Sequence, residues 1–149
     1  MSETLKSWAP LPLRLILGIA FIYHGFPKVS SAAGHQGFAG MLTGLGVPAP
    51  GFMAWVVGLV EVIGGLALIL GAFVAIASVL LIINMLVAMF KVHLAAGFSF
   101  MNIKGMGPEG PIFGMPGYEV HLLFIAGLLA LLLGGAGALS VDGMRSKNK

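Results

Sequence analysis

The sequence predicts an all-α membrane protein: a bundle of four transmembrane helices, with an interfacial helix in the first loop and a long capping loop between the third and fourth spans. Of its 149 residues, 58% are hydrophobic and 9% are charged, and the mean hydropathy is +1.03. A soluble domain carries about a quarter charged residues, so too few polar side chains remain here to cover a water-facing surface. Long apolar runs without period-two alternation exclude a β-barrel, which leaves helices as the spanning elements.

A single domain over residues 1–149 is the expectation at this length. The net charge of +3 comes from scattered Lys and Arg residues, which argues against nucleic acid as a partner. The absence of cysteine excludes thiol chemistry, disulfides and Cys-ligated clusters within the chain. Because so few charged residues are present, we expect the surface of the protein to contact the lipid bilayer.

The first predicted span covers residues 11–26, and prolines stand at its start, where the first helical turn tolerates them. His24 and Lys28 follow its apolar core directly, which favours an uncleaved helix over a signal peptide. In the loop of residues 30–46, apolar residues are spaced i, i+3, i+4 and i+7: Phe38, Met41, Leu42 and Leu45. This spacing predicts a helix that lies at the membrane interface.

Residues 52–90 form an almost continuous apolar run. A bilayer core of about 30 Å needs roughly 20 helical residues, so the run predicts two spans, 52–70 and 73–92, with a turn near Gly71 and Ala72. Residues 94–117 are rich in Gly, Met and Pro, and we expect them to fold as a cap over the helix ends. The fourth predicted span covers residues 118–139.

The basic residues near the span ends predict the orientation. With four spans both termini lie on one side, together with Lys6, Arg14, Arg145, Lys147 and Lys149. The opposite side carries Lys28, Lys91 and Lys104. Five basic residues against three favour cytoplasmic termini, in a cell (plasma) membrane.

Most ionisable residues of the spans gather toward the outer side of the predicted bundle, as a candidate ligand-binding cluster: His24, Lys28, Glu61, Lys91, His93, Glu119 and His121. Glu61 lies about ten residues into the second span, roughly 15 Å deep. A carboxylate at that depth must be neutral or paired. Ionisable residues inside a membrane are costly and are candidates for a functional site.

Other residues are expected to have structural roles. Arg14 lies one turn inside the inner face, and we expect it to snorkel to the headgroups. Gly58 and Gly65 share the face of Glu61, so a neighbouring backbone can approach there. Asn84, at the level of Glu61, is expected to form a hydrogen bond with another helix. His35, in the first loop, is expected to be solvated.

Metal sites receive little support from the sequence. His24, His93 and His121 lie at one predicted level, which leaves haem or a metal open as an alternative, but no short ligand motif accompanies them. The methionines of the capping loop are irregularly spaced, which favours an apolar filling role over copper binding. We therefore assign no metal and no covalently bound cofactor.

In order and spacing, several short motifs resemble the DoxX family of small four-helix membrane proteins. The residues that carry this resemblance are Arg14, Gly18, Phe21, His24, Gly25 and Lys28 in the first span, 45–48 in the loop, Gly58, Glu61, Gly64 and Gly65 in the second span, His93 and Gly97 after the third, 117–119, and 139–142. The resemblance covers residues 14–142. It implies links to quinone stress and to membrane redox complexes.

Two functions are consistent with this resemblance. The first is a quinone-interacting membrane redox protein or oxidoreductase subunit, in which gaps beside Gly25, Gly58 and Gly65 take the quinone and the polar cluster binds its oxygens. Its electrons would come from a substrate or from a partner subunit. The second is a non-enzymatic membrane protein: a small-molecule carrier, a permeation pathway or an assembly factor. A homo-oligomer is compatible with either function.

Overall fold

The computed structural model describes residues 3–147 and is mostly helical. Its helices are α1 (Glu3–Trp8), α2 (Pro10–Ser30), α3 (Ala32–Gly44), α4 (Pro50–Leu70), α5 (Val74–Ala88), α6 (Glu119–Gly134) and α7 (Val141–Lys147). A π-helical turn (Met89–His93) and a 3₁₀ turn (Leu94–Ala96) continue α5, and two strands follow, β1 (Ile103–Gly107) and β2 (Gly110–Phe113). Lys149, which contributed to the predicted orientation, lies outside the described residues.

Three helical stretches within residues 3–147 are long and apolar enough to cross a membrane: Leu5–Ser30, Pro50–Leu70 and Val74–Ala96. Each of them overlaps one of the first three predicted spans and extends beyond it at one end or both. The apolar α6 has 16 residues, about 24 Å at 1.5 Å per residue. The predicted end of this segment at residue 139 is wrong, because Gly135 and Gly137 adopt positive φ angles of 77° and 69° and end the helix early.

The turn between α4 and α5 lies where the sequence predicts it. Gly71 ends α4 in the left-handed region, with φ of 65°, a conformation that glycine adopts without steric cost. At the start of α5, both carboxylate oxygens of Asp142 accept hydrogen bonds from the backbone, at 3.0 Å from the Phe73 N–H and 2.9 Å from the Val74 N–H. The first turn of α7 thus satisfies two donors at the start of α5 that have no helical partner.

α2 and α4 form a close contact because glycines face each other along it. A Cβ atom added to Gly65 would lie 2.6 Å from the Gly18 carbonyl oxygen, and one added to Gly18 would lie 2.7 Å from the Gly65 carbonyl oxygen. Toward the other end, a Cβ atom on Gly25 would lie 2.6 Å from the Glu61 Cβ, and one on Gly58 would lie 2.7 Å from Val29. Small residues therefore set the distance between these two helices.

We expect Gly65→Ala to lower the free energy of unfolding by about 1–3 kcal/mol, because the new methyl group forces α2 and α4 apart. Thermal unfolding in detergent, followed by circular dichroism, measures the change. Gly51→Ala, in the first turn of the same helix, is the matched control, because a Cβ atom there meets nothing within 4 Å. Equal unfolding midpoints for the two variants would contradict this account of the contact.

Arg14 is fully buried at the end of the bundle where α2 begins. Its guanidinium donates to five carbonyl oxygens: those of Leu68 at 2.9 Å, Ile69 at 3.1 Å, Ala136 at 2.6 Å, Ala138 at 3.1 Å and Leu139 at 2.9 Å. The expectation that Arg14 snorkels to the headgroups is therefore wrong. The end of α4 and the irregular segment after α6 leave carbonyl groups without helical donors, and the guanidinium satisfies them inside the protein.

The capping loop contains a β-hairpin that the sequence analysis missed. β1 pairs antiparallel with β2, with Met106 opposite Pro111 and Gly107 opposite Gly110, and a bulge lies between Ile103 and Gly105. The signal in the sequence is the turn at residues 107–110, Gly-Pro-Glu-Gly, because proline at the second position and glycine at the fourth are typical of a type I turn. The two strands themselves could not be predicted, because apolar and polar residues do not clearly alternate in them.

Candidate functional site

A cavity of about 380 Å³ lies in the half of the bundle that is remote from Arg14. Its walls come from the second half of α2, from α3, the first half of α4, the end of α5 with its π-helical turn, and the start of α6. Six of the seven residues of the predicted polar cluster line it: His24, Lys28, Glu61, Lys91, His93 and His121. Asn84 also lines the cavity, and most of the remaining lining is apolar.

An ion pair joins α2 to α4 at the wall of the cavity. Lys28 Nζ lies 2.5 Å from Glu61 Oε2, and Asn84 Nδ2 donates to Glu61 Oε1 at 3.0 Å. Both charged side chains are largely buried. Glu61 is thus paired, as its depth requires, and Asn84 makes the expected contact with another helix.

Lys28 reaches Glu61 because α2 continues through Pro27 to Ser30, four residues beyond the predicted end at residue 26. The close approach of α2 and α4 at Gly25 brings the two side chains together. Lys28 Nζ also donates to the His24 carbonyl oxygen at 2.8 Å and lies 4.8 Å from the centre of the Phe38 ring. One ammonium group therefore contacts α2, α3 and α4.

Two histidine rings, tilted by 42° relative to each other, are in contact at the part of the wall formed by the π-helical turn and α6. The ring centres of His93 and His121 are 4.2 Å apart. His93 Nδ1 lies 2.8 Å from the Pro116 carbonyl oxygen, and since a carbonyl only accepts, this nitrogen carries a proton and donates. His121 is 9% exposed, and its Nδ1 atom is buried with no hydrogen-bond partner. A buried nitrogen without a partner is uncommon in folded proteins and carries a desolvation cost.

The π-helical turn, Met89–His93, sets the positions of Lys91 and His93. A π turn carries an extra residue compared with an α turn, and single π turns within helices frequently occur at functional sites. Lys91 is exposed at the edge of the cavity, whereas His93 is half-buried against His121. Nothing in the sequence distinguishes this turn from a regular helix.

The apolar residues of the predicted interfacial helix line the cavity, whereas the sequence led us to expect them to contact lipid. The helix itself is present as α3, but Phe38, Met41, Leu42 and Leu45 line the cavity. α3 packs against α2 and α4. Amphipathic spacing alone cannot distinguish a helix that contacts lipid from one that covers a cavity, because both bury one apolar face.

Several predicted residues lie outside the cavity lining. Glu119 accepts a hydrogen bond from the Phe100 N–H at 2.9 Å, so its carboxylate holds the capping loop. Gly25, Gly58 and Gly65 lie at the contact between α2 and α4, where no gap remains for a quinone.

His35 is not solvated as expected. It is half-buried, its ring centre lies 4.8 Å from that of Trp55, and its Nδ1 atom lies 3.2 Å from the Lys28 carbonyl oxygen.

The histidines do not form a metal site with other ligands. Among residues 3–147, no three His, Asp or Glu side chains lie close enough together to hold a metal ion. The donor groups of the cavity are instead two ammonium groups, three imidazoles and an amide, next to a single carboxylate. Such a set suits an uncharged or anionic organic ligand with oxygen acceptors better than it suits a cation.

The fold and the cavity define a helical membrane protein with a partly polar internal site. The chain belongs to the DoxX family, whose model matches residues 9–94. It is 38% identical over 88 residues to CatD of Bacillus subtilis, provisionally named an oxidoreductase, and this match covers 59% of the chain and 62% of CatD. No solved structure matches significantly.

Two further relatives match over most of both chains. The membrane protein Rv3486 of Mycobacterium tuberculosis is 29% identical over 138 residues, which are 91% of this chain and 80% of that protein. A protein of Haemophilus influenzae is 30% identical over 131 residues, which are 87% and 85% of the two chains. The cavity residues up to His93 lie within the family match, whereas His121 lies beyond it.

Proposed function

We propose that this protein binds a quinone headgroup in the cavity and acts as a quinone-interacting subunit of a membrane oxidoreductase. The observation that carries the proposal is the composition of the cavity walls. A mostly apolar space of about 380 Å³ is lined by the ion pair of Lys28 and Glu61 and by the contacting rings of His93 and His121. A flat ring with an oxygen at each end matches this arrangement.

Each polar group has a defined role in this proposal. His121, which lines the cavity, donates from its imidazole ring to one quinone oxygen, and Lys28 or Asn84 donates to the other. Lys91, at the edge of the cavity, stabilises negative charge that develops on the ring oxygens. Glu61 holds Lys28 and Asn84 in place and exchanges protons with the bound ligand.

Reduction of a quinone to a quinol consumes two electrons and two protons. We propose that a partner redox subunit supplies the electrons and that the groups around Glu61 deliver protons to the two oxygens. The provisional name of CatD as an oxidoreductase supports this assignment for the family. The partner is a protein with its own redox cofactor, bound at the membrane.

We further propose that the chain crosses the cell membrane four times, with α6 as the fourth span, α3 at the interface and both termini in the cytoplasm. The hydrogen bond from the Ala138 N–H to the Ser7 carbonyl oxygen supports this topology. The contacts of Arg14 with Ala136 and Leu139 support it as well. The segments beside both termini meet at one end of the bundle, which is the arrangement expected for an even number of crossings.

Titration of the protein in lipid nanodiscs with the tail-free quinone 2,3-dimethoxy-5-methylbenzoquinone tests the proposal. We expect saturable binding to one site, about tenfold weaker in His121→Leu and in Glu61→Gln, because each variant removes a hydrogen bond or the charge that orients one. His35→Leu is the matched control, since His35 does not line this cavity, and it should bind as wild type does.

Two results would contradict the proposal. One is the absence of saturable quinone binding to the wild type. The other is unchanged affinity in both His121→Leu and Glu61→Gln. If either result is obtained and the protein also moves a solute across the membrane of reconstituted vesicles without a redox partner, the alternative function as a small-molecule carrier is favoured.

A further inference from the structure

The cavity reaches the surface of the bundle between α3 and α5. Met41 on α3 is 41% exposed and Val87 on α5 is 55% exposed, yet both side chains line the cavity. His24, Lys91, Phe100 and Pro116 are exposed lining residues as well, so the cavity borders the surface at more than one place. One of these places lies at Met41 and Val87. Met41 and Val87 are apolar, so this part of the rim has no polar side chain that could bind water.

Val87 belongs to a lipid-facing stripe along α5. Leu80, Ile83 and Val87 are spaced i, i+3 and i+7 and are all exposed, so they share one face of the helix. In the stretch Val74–Ala96, which is apolar enough to cross a membrane, such a face contacts acyl chains. The cavity therefore opens onto the same surface that the bilayer covers.

The capping loop lies over the end of the cavity where α6 begins. Phe100, Pro116 and Gly117 line it there. Glu119 holds the Phe100 backbone, and His93 holds the Pro116 carbonyl oxygen. Phe100 and Pro116 are themselves exposed and His93 contacts Pro116, so this side of the cavity is partly polar. The rim between Met41 and Val87, in contrast, is apolar.

We propose that the ligand is a membrane-dissolved amphiphile that enters from the side, with its headgroup in the cavity and an alkyl or isoprenoid tail passing between Met41 and Val87 into the bilayer. This inference rests on the proposed function and specifies its ligand. A cavity of about 380 Å³ has room for a ring and its substituents, and the opening between α3 and α5 leaves the tail in lipid. The tail lies in an apolar environment both before and after binding, so its placement adds no solvation cost to the binding free energy.

The test compares two quinones in nanodiscs, 2,3-dimethoxy-5-methylbenzoquinone and its 6-decyl derivative, with each concentration counted per lipid. The wild type should bind both. In Val87→Trp, which fills the opening, binding of the decyl quinone should weaken at least tenfold, and that of the tail-free quinone by no more than threefold. Met41→Trp blocks the opposite rim and should give the same selective loss.

Ile83→Trp is the matched control, because Ile83 is one turn away on the same exposed stripe and does not line the cavity. It should change neither affinity. The inference is overturned if Val87→Trp and Met41→Trp keep the wild-type affinity for the decyl quinone, or lose both quinones equally. If the wild type fails to bind the tail-free quinone, the proposed function itself is wrong and the inference falls with it.

Discussion

Arg14→Met should lower the free energy of unfolding by at least about 3 kcal/mol, because each buried acceptor left without a donor costs about 1–3 kcal/mol. The wild-type guanidinium has five N–H donors and uses all of them on backbone carbonyl oxygens. Methionine fills a similar volume but leaves those oxygens without donors in a buried region. Unsatisfied backbone groups are especially costly in lipid, where no water replaces the lost partner.

Arg14→Lys should fall between the wild type and Arg14→Met, because an ammonium group has three donors at a single point and cannot reach carbonyl groups in two segments at once. Thermal unfolding in detergent gives the three midpoints. Arg145→Met is the control: Arg145 is exposed and lies over the Phe73 ring, so its removal should have little effect. If Arg14→Met unfolds at the wild-type temperature, the guanidinium reaches the headgroups instead and the observed network is wrong.

The second large effect concerns the ion pair between Lys28 and Glu61. Lys28→Met should destabilise the fold by about 3–5 kcal/mol, because it leaves the Glu61 carboxylate buried without a counter-ion. Glu61→Gln should be costly for the converse reason. The double variant, Lys28→Met with Glu61→Gln, should be more stable than either single variant, because no charge remains and the new amide can still bind Asn84.

A double-mutant cycle of unfolding free energies, measured in detergent, gives the coupling between the two residues. We expect a coupling of at least about 2 kcal/mol, within the range for residues in direct contact. Lys104→Met, on the exposed hairpin, is the control for loss of a lysine. Additive effects of Lys28→Met and Glu61→Gln would show that the two side chains do not depend on each other.

The sequence was sufficient to predict that polar side chains of separate helices converge. Glu61 lies in an apolar run, and only a partner or an internal cavity stabilises a carboxylate there. The same reasoning placed His24, His93 and His121 at one level, and all three line the cavity. The free-energy cost of placing an ionisable side chain in a membrane span depends on the residue type and its depth, and both can be estimated from the sequence before the fold is known.

The role of Arg14 could not be predicted in this way. Its acceptors include carbonyl groups 122 to 125 residues away, in a segment that the sequence predicts as helix. The guanidinium is satisfied there because the helix ends early at Gly135 and frees those carbonyl groups. A side chain that binds backbone depends on where each helix ends, and helix ends are the least certain feature of a sequence-based prediction.

The shape of the cavity also depends on features that leave no clear pattern in the sequence. The π-helical turn has the composition of an ordinary helix end, and it determines where Lys91 and His93 lie. The glycines of α2 and α4 signalled a close approach of two helices. Whether they line a gap or close it depends on the register between the helices, which the sequence does not specify.

Photoaffinity labelling with an azido-benzoquinone in nanodiscs, followed by peptide mass spectrometry, tests the central claim most directly. The claim is that polar side chains of four helices surround one quinone-binding cavity. We expect labels that unlabelled quinone competes away, on peptides that contain Glu61, Asn84 or His121. Labelling confined to the lipid-facing residues of α5, or labelling that excess quinone leaves unchanged, would contradict it.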